Sequence, residues 1–288
     1  MERLIEKKWK KEIEMLKCHT CATSLPATAK FCFNCGEKVV VKASIETMEP
    51  VLDVKGDIEK QFNDLFFSGL KKALEREQDV TKLQQYSERV YESGFRDFLQ
   101  RRAAQLAEKV NSPDFNRVTL NELTTGWLSQ LLDIFIIRDC ADLNVVAMPE
   151  AILKYQQADK KTIDIFAFIM DYMHFDIEKE IVYTDFLRMP VDKLKNAGKS
   201  FLFPEKTERI FFLCDLSLLG SCKEGFAMTE KAIYWKVQFQ KPKKVRFSTL
   251  NDLHRIEDWV TINGHFFNAN TGLNVRLLKL LGELKRFF

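Results

Sequence analysis

Two C-x-x-C pairs, Cys18 with Cys21 and Cys32 with Cys35, constrain the folding of this chain more than any other feature. Ten residues separate the pairs, and four thiolates at this spacing form the tetrahedral ligand set typical of structural zinc. So small a ribbon buries too little surface to fold unaided, so the metal would supply its folding energy. A redox C-x-x-C is the alternative, but that motif normally stands alone beside a βαβ pattern, which is absent. The sequence therefore predicts one structural Zn²⁺ on these cysteines, with His19 a surface residue.

The composition is that of a soluble globular chain, with 46% hydrophobic and 30% charged residues. Its 44 basic and 41 acidic residues nearly cancel, whereas strong non-specific nucleic-acid binders are usually strongly basic. No apolar segment follows a basic start, and the longest apolar run, 131–137, is shorter than the roughly 20 residues that span a bilayer. We therefore expect a cytoplasmic protein without a signal peptide, whose paired cysteines bind metal rather than form disulfides.

Hydrophobic periodicity and turn residues predict an α+β chain in five parts. In order, these are a leading helix and zinc ribbon (1–41), a linker (42–56), an α-helical domain (57–176), a connecting segment (177–207), and a small β-sheet or partly open barrel closed by a C-terminal helix (208–288). The leading helix is amphipathic, because its apolar residues recur at helical spacing: Leu4 or Ile5, Trp9, Ile13 and Leu16.

Within the helical part, a first helix is predicted from Asp57 and a single second helix from Thr81 to Val110. Thr119 and Glu122 form a capping box that predicts the start of a third helix, with Val118 and Leu123 as its hydrophobic staple. Further helices are predicted after Pro149, over Thr162–His174, and over Pro190–Ala197 with Gly198 as the residue beyond its end.

From Arg209 onward, the segments become short and rich in aromatic and β-branched residues, which predicts strands. The predicted strands are Arg209–Cys214, Gly225–Thr229, Ala232–Val237, Lys244–Thr249 and Trp259–Ile262. Asn263-Gly264, followed by His265–Phe267, is the strongest hairpin signal, because both turn positions need positive φ.

The cysteine segment resembles the short zinc-ribbon modules at the ends of many bacterial proteins. The matching residues are Cys18–Cys21, Leu25-Pro26, Ala29–Cys32 and Asn34-Cys35-Gly36, with a departure at Ala22, where glycine is usual. The resemblance covers under a tenth of the chain. It implies zinc binding; such ribbons serve as protein contacts, as nucleic-acid contacts or as folding staples.

The stretch 225–235, with the strand order around it and the closing helix, resembles bacterial pleckstrin-homology-like domains. The resemblance covers about 208–288 and implies a binding module that presents loops and a groove to proteins or, sometimes, lipids. Lys241, Lys243, Lys244 and Arg246 could meet an anionic membrane surface. A strand edge guarded by lysines is the favoured interpretation of this cluster, so a membrane partner is not expected.

Catalytic motifs are missing from the sequence. Ala197-Gly198-Lys199-Ser200 resembles the end of a phosphate-binding loop, but Lys193 stands where that motif needs a glycine. Cys140, Cys214 and Cys222 are predicted to be buried thiols. No H-E-x-x-H motif, nucleophile elbow or dinucleotide fingerprint occurs, and no small-molecule substrate is indicated.

The sequence thus favours a non-enzymatic zinc-binding adaptor or regulatory protein that acts through protein–protein contacts. The alternative is a nucleic-acid-binding regulator that uses the ribbon and the basic residues of the leading helix: Lys7, Lys8, Lys10 and Lys11. A third hypothesis, an enzyme whose site is assembled from residues distant in sequence, stays open.

Overall fold

A computed structural model describes residues 52–112, 116–285 and 287–288, together with the backbone of 15–17 and 24–26; of Lys160 it describes the backbone alone. The chain forms two compact units, Met1–Met48 and Glu49–Phe288. The second combines helices with antiparallel sheets. The predicted α+β class is therefore confirmed.

Two short strands are described in the first unit. Strands β1 (Met15–Lys17) and β2 (Ser24–Pro26) pair antiparallel, with Leu16 opposite Leu25. Leu16 was predicted to continue the leading helix, and this was wrong, because cross-strand pairing satisfies its backbone groups instead. The rest of the predicted leading helix, and most of the linker, lie outside the described residues.

Four helices begin the second unit: α1 (Ile58–Glu77), α2 (Leu83–Glu92), α3 (Phe95–Val110) and α4 (Arg117–Ile134). Their apolar faces enclose one core, and Leu52, from the predicted linker, is buried in it. A π-helical turn, Phe135–Asp139, extends α4. Ile136 belongs to this helical core, whereas its neighbour Ile137 belongs to the core of the sheets.

Two helix boundaries differ from the prediction. The expected helix over 81–110 is broken at Gly94, whose φ of +74° ends the helical geometry before α3 begins. Asn116 caps the start of helix α4, because its side chain accepts a hydrogen bond from the Val118 amide. Thr119 and Glu122 lie inside the helix and Val118 is exposed, so neither the capping box nor the staple forms.

In the described part of the second unit, eight strands form two open antiparallel sheets, with neighbours in chain order. The larger sheet contains β3 (Ile181–Tyr183), β4 (Ile210–Asp215), β5 (Gly225–Thr229), β6 (Ala232–Lys236) and β7 (Lys243–Arg246). The smaller contains β8 (Leu253–Ile256), β9 (Trp259–Ile262) and β10 (His265–Phe267). The hairpin prediction is confirmed, with φ values of +50° at Asn263 and +76° at Gly264. Strands β3 and β8 were not predicted.

Three further helices are α5 (Ile165–Met173), α6 (Val191–Ser200) and α7 (Thr271–Leu284). Helices α5 and α7 share one core with both sheets, while α6 packs on the other face of the larger sheet. The structure therefore differs from the predicted division at residue 176, because α5 buries its apolar face with the sheets. Gly198, expected beyond the end of α6, lies within it.

A buried ionic cluster, formed by Lys279, Glu77, Asp133 and Arg76, links helices α1, α4 and α7. Lys279 Nζ on α7 donates to Glu77 Oε2 on α1 at 2.8 Å and to Asp133 Oδ1 on α4 at 2.6 Å. Burial alone raises the pKa of Glu77, but Arg76 and Lys279 outweigh it and lower the value to about 2. Burial lowers the pKa of Lys279, yet Asp133 and Glu77 leave it above the ordinary value. Glu77 and Lys279 are therefore both charged at neutral pH.

Candidate functional site

The four predicted zinc ligands, Cys18, Cys21, Cys32 and Cys35, lie outside the described residues, as does His19. The strands on either side of the first pair are described, and the β1–β2 pairing joins Lys17 to Ser24 across residues 18–23. Elsewhere, in the part of the chain that the structure describes, no three His, Cys, Asp or Glu side chains are placed to hold a metal ion.

The three remaining cysteines are buried, as predicted. Burial raises the pKa of Cys140 and of Cys222 to about 12 and raises that of Cys214 further. These thiols are therefore protonated at neutral pH, and a protonated buried thiol is a poor nucleophile. None of these three cysteines therefore provides a thiolate that could act as a catalytic nucleophile.

The most distinctive surface lies at one end of the larger sheet, which we call the loop end. It consists of the β4–β5 connection, 216–224, and the β6–β7 connection, 237–242. Three large apolar side chains are almost fully exposed there: Leu218 by 94%, Leu219 by 90% and Phe239 by 94%. Antiparallel connectivity brings the two connections to the same end, and residues of both line one groove.

Hydrogen bonds hold the β4–β5 connection in place. Asp215, at the end of β4, accepts from the Ser217 amide at 2.9 Å and from the Cys222 amide at 3.1 Å. Helix α6 adds two bonds, from Asn196 Nδ2 to the Ser221 carbonyl at 2.9 Å and from Ser200 Oγ to the Lys223 carbonyl at 2.6 Å. The exposed leucines are therefore carried by a fastened loop.

Phe239 has an unusual backbone conformation. Its φ is +61°, a left-handed value that is strained for a bulky side chain and that glycine or asparagine adopts more readily. The turn is closed by a hydrogen bond from the Gln240 amide to the Val237 carbonyl at 3.0 Å. Folding alone therefore gives no reason for an aromatic residue at this position.

At the loop end, residues of both connections, Leu218 among them, line an open groove of about 490 Å³. Its apolar lining includes Ile181, Leu216 and Val237, and its polar lining includes Glu180, Asp215 and Glu224. Glu180 Oε1 accepts a hydrogen bond from Asn270 Nδ2 at 2.8 Å, while Glu180 Oε2 is buried and has no hydrogen-bond partner among the described residues.

The basic cluster singled out in the sequence is only partly at this end. Strand β7, which carries Lys243, Lys244 and Arg246, is an edge strand of the larger sheet. Lys244 Nζ lies 3.9 Å from a carboxylate oxygen of Glu208, and Arg246 forms an ion pair with Glu205. Two of the four basic residues of the cluster, Lys244 and Arg246, are therefore compensated within the protein, which weakens a membrane-binding interpretation.

Sequence reasoning missed the exposed side chains of the loop end. The available signal was Leu218-Leu219 directly before Gly220, two adjacent apolar residues in a short connection between two predicted strands. Phe239 gave no signal of its own, because its exposure depends on how β6 and β7 pair. No helix among the described residues is both long and apolar enough to cross a bilayer.

Comparison with known proteins leaves this geometry without an assignment. No family model, no curated protein and no solved structure matches the chain.

Proposed function

We propose that this chain is a non-enzymatic, zinc-binding adaptor that binds another protein through the loop end. One observation carries the proposal: Leu218, Leu219 and Phe239 expose nearly their whole side chains at the same end of one sheet. Single exposed apolar residues are common, whereas apolar residues grouped on one surface typically mark an interaction site. The expected partner is a protein segment with apolar side chains that cover these three residues.

The fastening of the loop end supports this proposal. Binding to a mobile loop loses conformational entropy, whereas a loop already held in place loses little. Asp215 and helix α6 fasten the β4–β5 connection. The strained backbone at Phe239 is an added sign, because such strain is concentrated at functional sites.

The strand order supports the resemblance to pleckstrin-homology-like domains. Strands β4 to β7 form an antiparallel series, β8 to β10 form a second, and α7 follows. Strand β3 is an addition at the edge of the first series. A binding module of this kind presents its loops to a partner, in agreement with the exposed side chains of the loop end.

Zinc binding is proposed for the four cysteines. Four thiols suit structural Zn²⁺, and the β1–β2 pairing supports the ribbon because it joins Lys17 to Ser24 across the segment that carries Cys18 and Cys21. Metal analysis of the purified chain should find one zinc per chain, and Cys32→Ser should lower that ratio. A chain without zinc, purified without chelators, would contradict this part of the proposal.

Site-specific photo-crosslinking tests the protein contact. A photoreactive amino acid is placed at position 219 or 239 and, as a control, at position 187, because Leu187 is equally exposed but belongs to neither connection of the loop end. In cells that naturally produce the protein, positions 219 and 239 should crosslink to the same protein, and position 187 should not. Leu218→Glu should abolish that crosslink. Identical products from all three positions, or crosslinks to lipid or nucleic acid alone, would overturn the proposal.

A further inference from the structure

The groove at the loop end has an acidic lining. The walls of the groove contain three carboxylates, Glu180, Asp215 and Glu224, and one lysine, Lys179. An anionic ligand, such as a phosphate group, would be repelled by this set of charges, whereas a cationic group would be attracted. The exposed apolar residues of the loop end would contact any apolar partner, whereas the charge of the groove favours a partner that places a cationic group there.

The partners of these carboxylates differ in a way that singles out Glu180. Asp215 already accepts hydrogen bonds from Ser217 and Cys222 through both of its oxygens. Glu178, next to the groove, forms an ion pair with the buried guanidinium of Arg276. Glu180 Oε2 is buried without a hydrogen-bond partner among the described residues.

Buried polar atoms without a partner are rare in folded proteins, and each calls for an explanation such as a water molecule, an ion or a ligand. Asn270 Nδ2 bonds both Glu178 Oε2, at 2.6 Å, and Glu180 Oε1, at 2.8 Å, and so holds the two carboxylates side by side. Arg276 compensates only the first of them. Glu180 lines the groove, so a cationic group there would complete the pairing once this carboxylate turned toward it.

The walls of the groove suit the stem of a long side chain. Ile181, Leu216 and Val237 provide apolar contacts along it, and lysine and arginine place their methylene groups against such surfaces while their charged ends find polar partners. The volume of about 490 Å³ leaves ample space for one such side chain.

We infer that the groove binds a lysine or arginine side chain of the partner segment, with its charged end at Glu180 and its flanking apolar residues against Leu218, Leu219 and Phe239. This inference rests on the proposed function of the same surface and specifies the chemistry of the partner. The recognised segment carries one basic residue between apolar residues.

Binding of fluorescent peptide libraries to the full chain tests the inference. Each library has random apolar residues around one fixed central residue, which is arginine, lysine, glutamine or glutamate. Fluorescence polarisation should show the arginine or lysine library binding at least about tenfold more tightly than the glutamine library, which corresponds to about 1.4 kcal/mol. The glutamate library should bind more weakly still.

Two charge-removing variants separate the outcomes. Glu180→Gln should reduce the preference for a basic centre to below about twofold, whereas Glu230→Gln, in the turn at the opposite end of β5 and β6, should leave it unchanged. Equal binding of all libraries that is lost in Leu218→Glu would refute the inference and leave the proposed function standing. Absence of binding by every library would overturn both.

Discussion

Replacing Lys279 by methionine tests whether the buried ionic cluster stabilises the fold. Lys279 is only 7% exposed and bonds Glu77 at 2.8 Å and Asp133 at 2.6 Å. Methionine keeps most of the apolar stem but leaves the buried carboxylate of Glu77 and the partly buried carboxylate of Asp133 without their shared cation. Removing one partner of a buried ion pair typically costs about 3–5 kcal/mol. Arg76 still bonds Glu77, and Gln156 still bonds Asp133, so we expect about 3 kcal/mol.

Lys154 offers a matched control. Its Nζ lies 2.6 Å from Asp171 Oδ2, the same separation as in the Lys279–Asp133 pair, but its side chain is 58% exposed. Exposed ion pairs contribute about 0–1 kcal/mol, so Lys154→Met should lower the free energy of unfolding by no more than that. The comparison therefore varies burial while it holds residue type and distance constant.

Urea unfolding at pH 7, followed by circular dichroism, measures both variants, and an unchanged m-value would show that the stability itself has changed. High salt should screen the effect of Lys154→Met but not that of Lys279→Met. Adding Glu77→Gln and Asp133→Asn to Lys279→Met should restore part of the lost stability, because the buried charges are then removed. Equal losses in the two single variants, or a gain in Lys279→Met, would refute the reasoning.

Three further predictions concern the backbone and the pH dependence of the second unit. Gly225→Ala should cost more than about 3 kcal/mol, visible as a lower melting temperature, because its Cβ would lie 2.2 Å from the Cys214 carbonyl oxygen at a φ of +155°; an unchanged melting temperature would contradict this. Asn263→Ala should lower the free energy of urea unfolding by about 1–3 kcal/mol, because the Asn263 side chain makes three hydrogen bonds to the backbone before β8. Asn263→Gly should recover only the part of this loss that comes from the positive φ at position 263, because glycine replaces none of the hydrogen bonds. The pKa of Glu77 is lowered from 4.5 to about 2. Its contribution to the free energy of unfolding, about 3 kcal/mol, is therefore complete above pH 4.5 and is lost as the pH falls toward 2. Glu77→Gln should show a shallower loss of stability in acid, and identical acid profiles for the two proteins would count against this assignment.

Local sequence signals predicted the parts of the fold that local interactions decide. The Asn263-Gly264 turn and strand β5 were predicted with the correct bounds, because turn chemistry and short apolar runs carry that information. Strand β3 was missed because it has only three residues and pairs with the distant strand β4, and β8 was missed because the Glu257-Asp258 turn that joins it to β9 contains neither asparagine nor glycine. The start of α4 was misplaced because Asn116 and Thr119 both offer helix caps, and tertiary packing selects between them.

The candidate site was less predictable. The resemblance of the β region to pleckstrin-homology-like domains implied a binding module, but the exposure of Leu218 and Phe239 depends on how four strands align two connections. The buried oxygen of Glu180 depends on Asn270, ninety residues further along the chain. Contacts at such separations leave no periodic signal in a single sequence.

The π-helical turn after α4 couples the unfolding of two hydrophobic cores of the second unit. Ile136 and Ile137 are adjacent, yet their side chains enter different hydrophobic cores. Neither core can open fully without disturbing the same peptide group, so loosening of one is transmitted to the other through covalent connection. We therefore expect the amides of this turn to be among the slowest to exchange with deuterium, and to exchange together with those of α7.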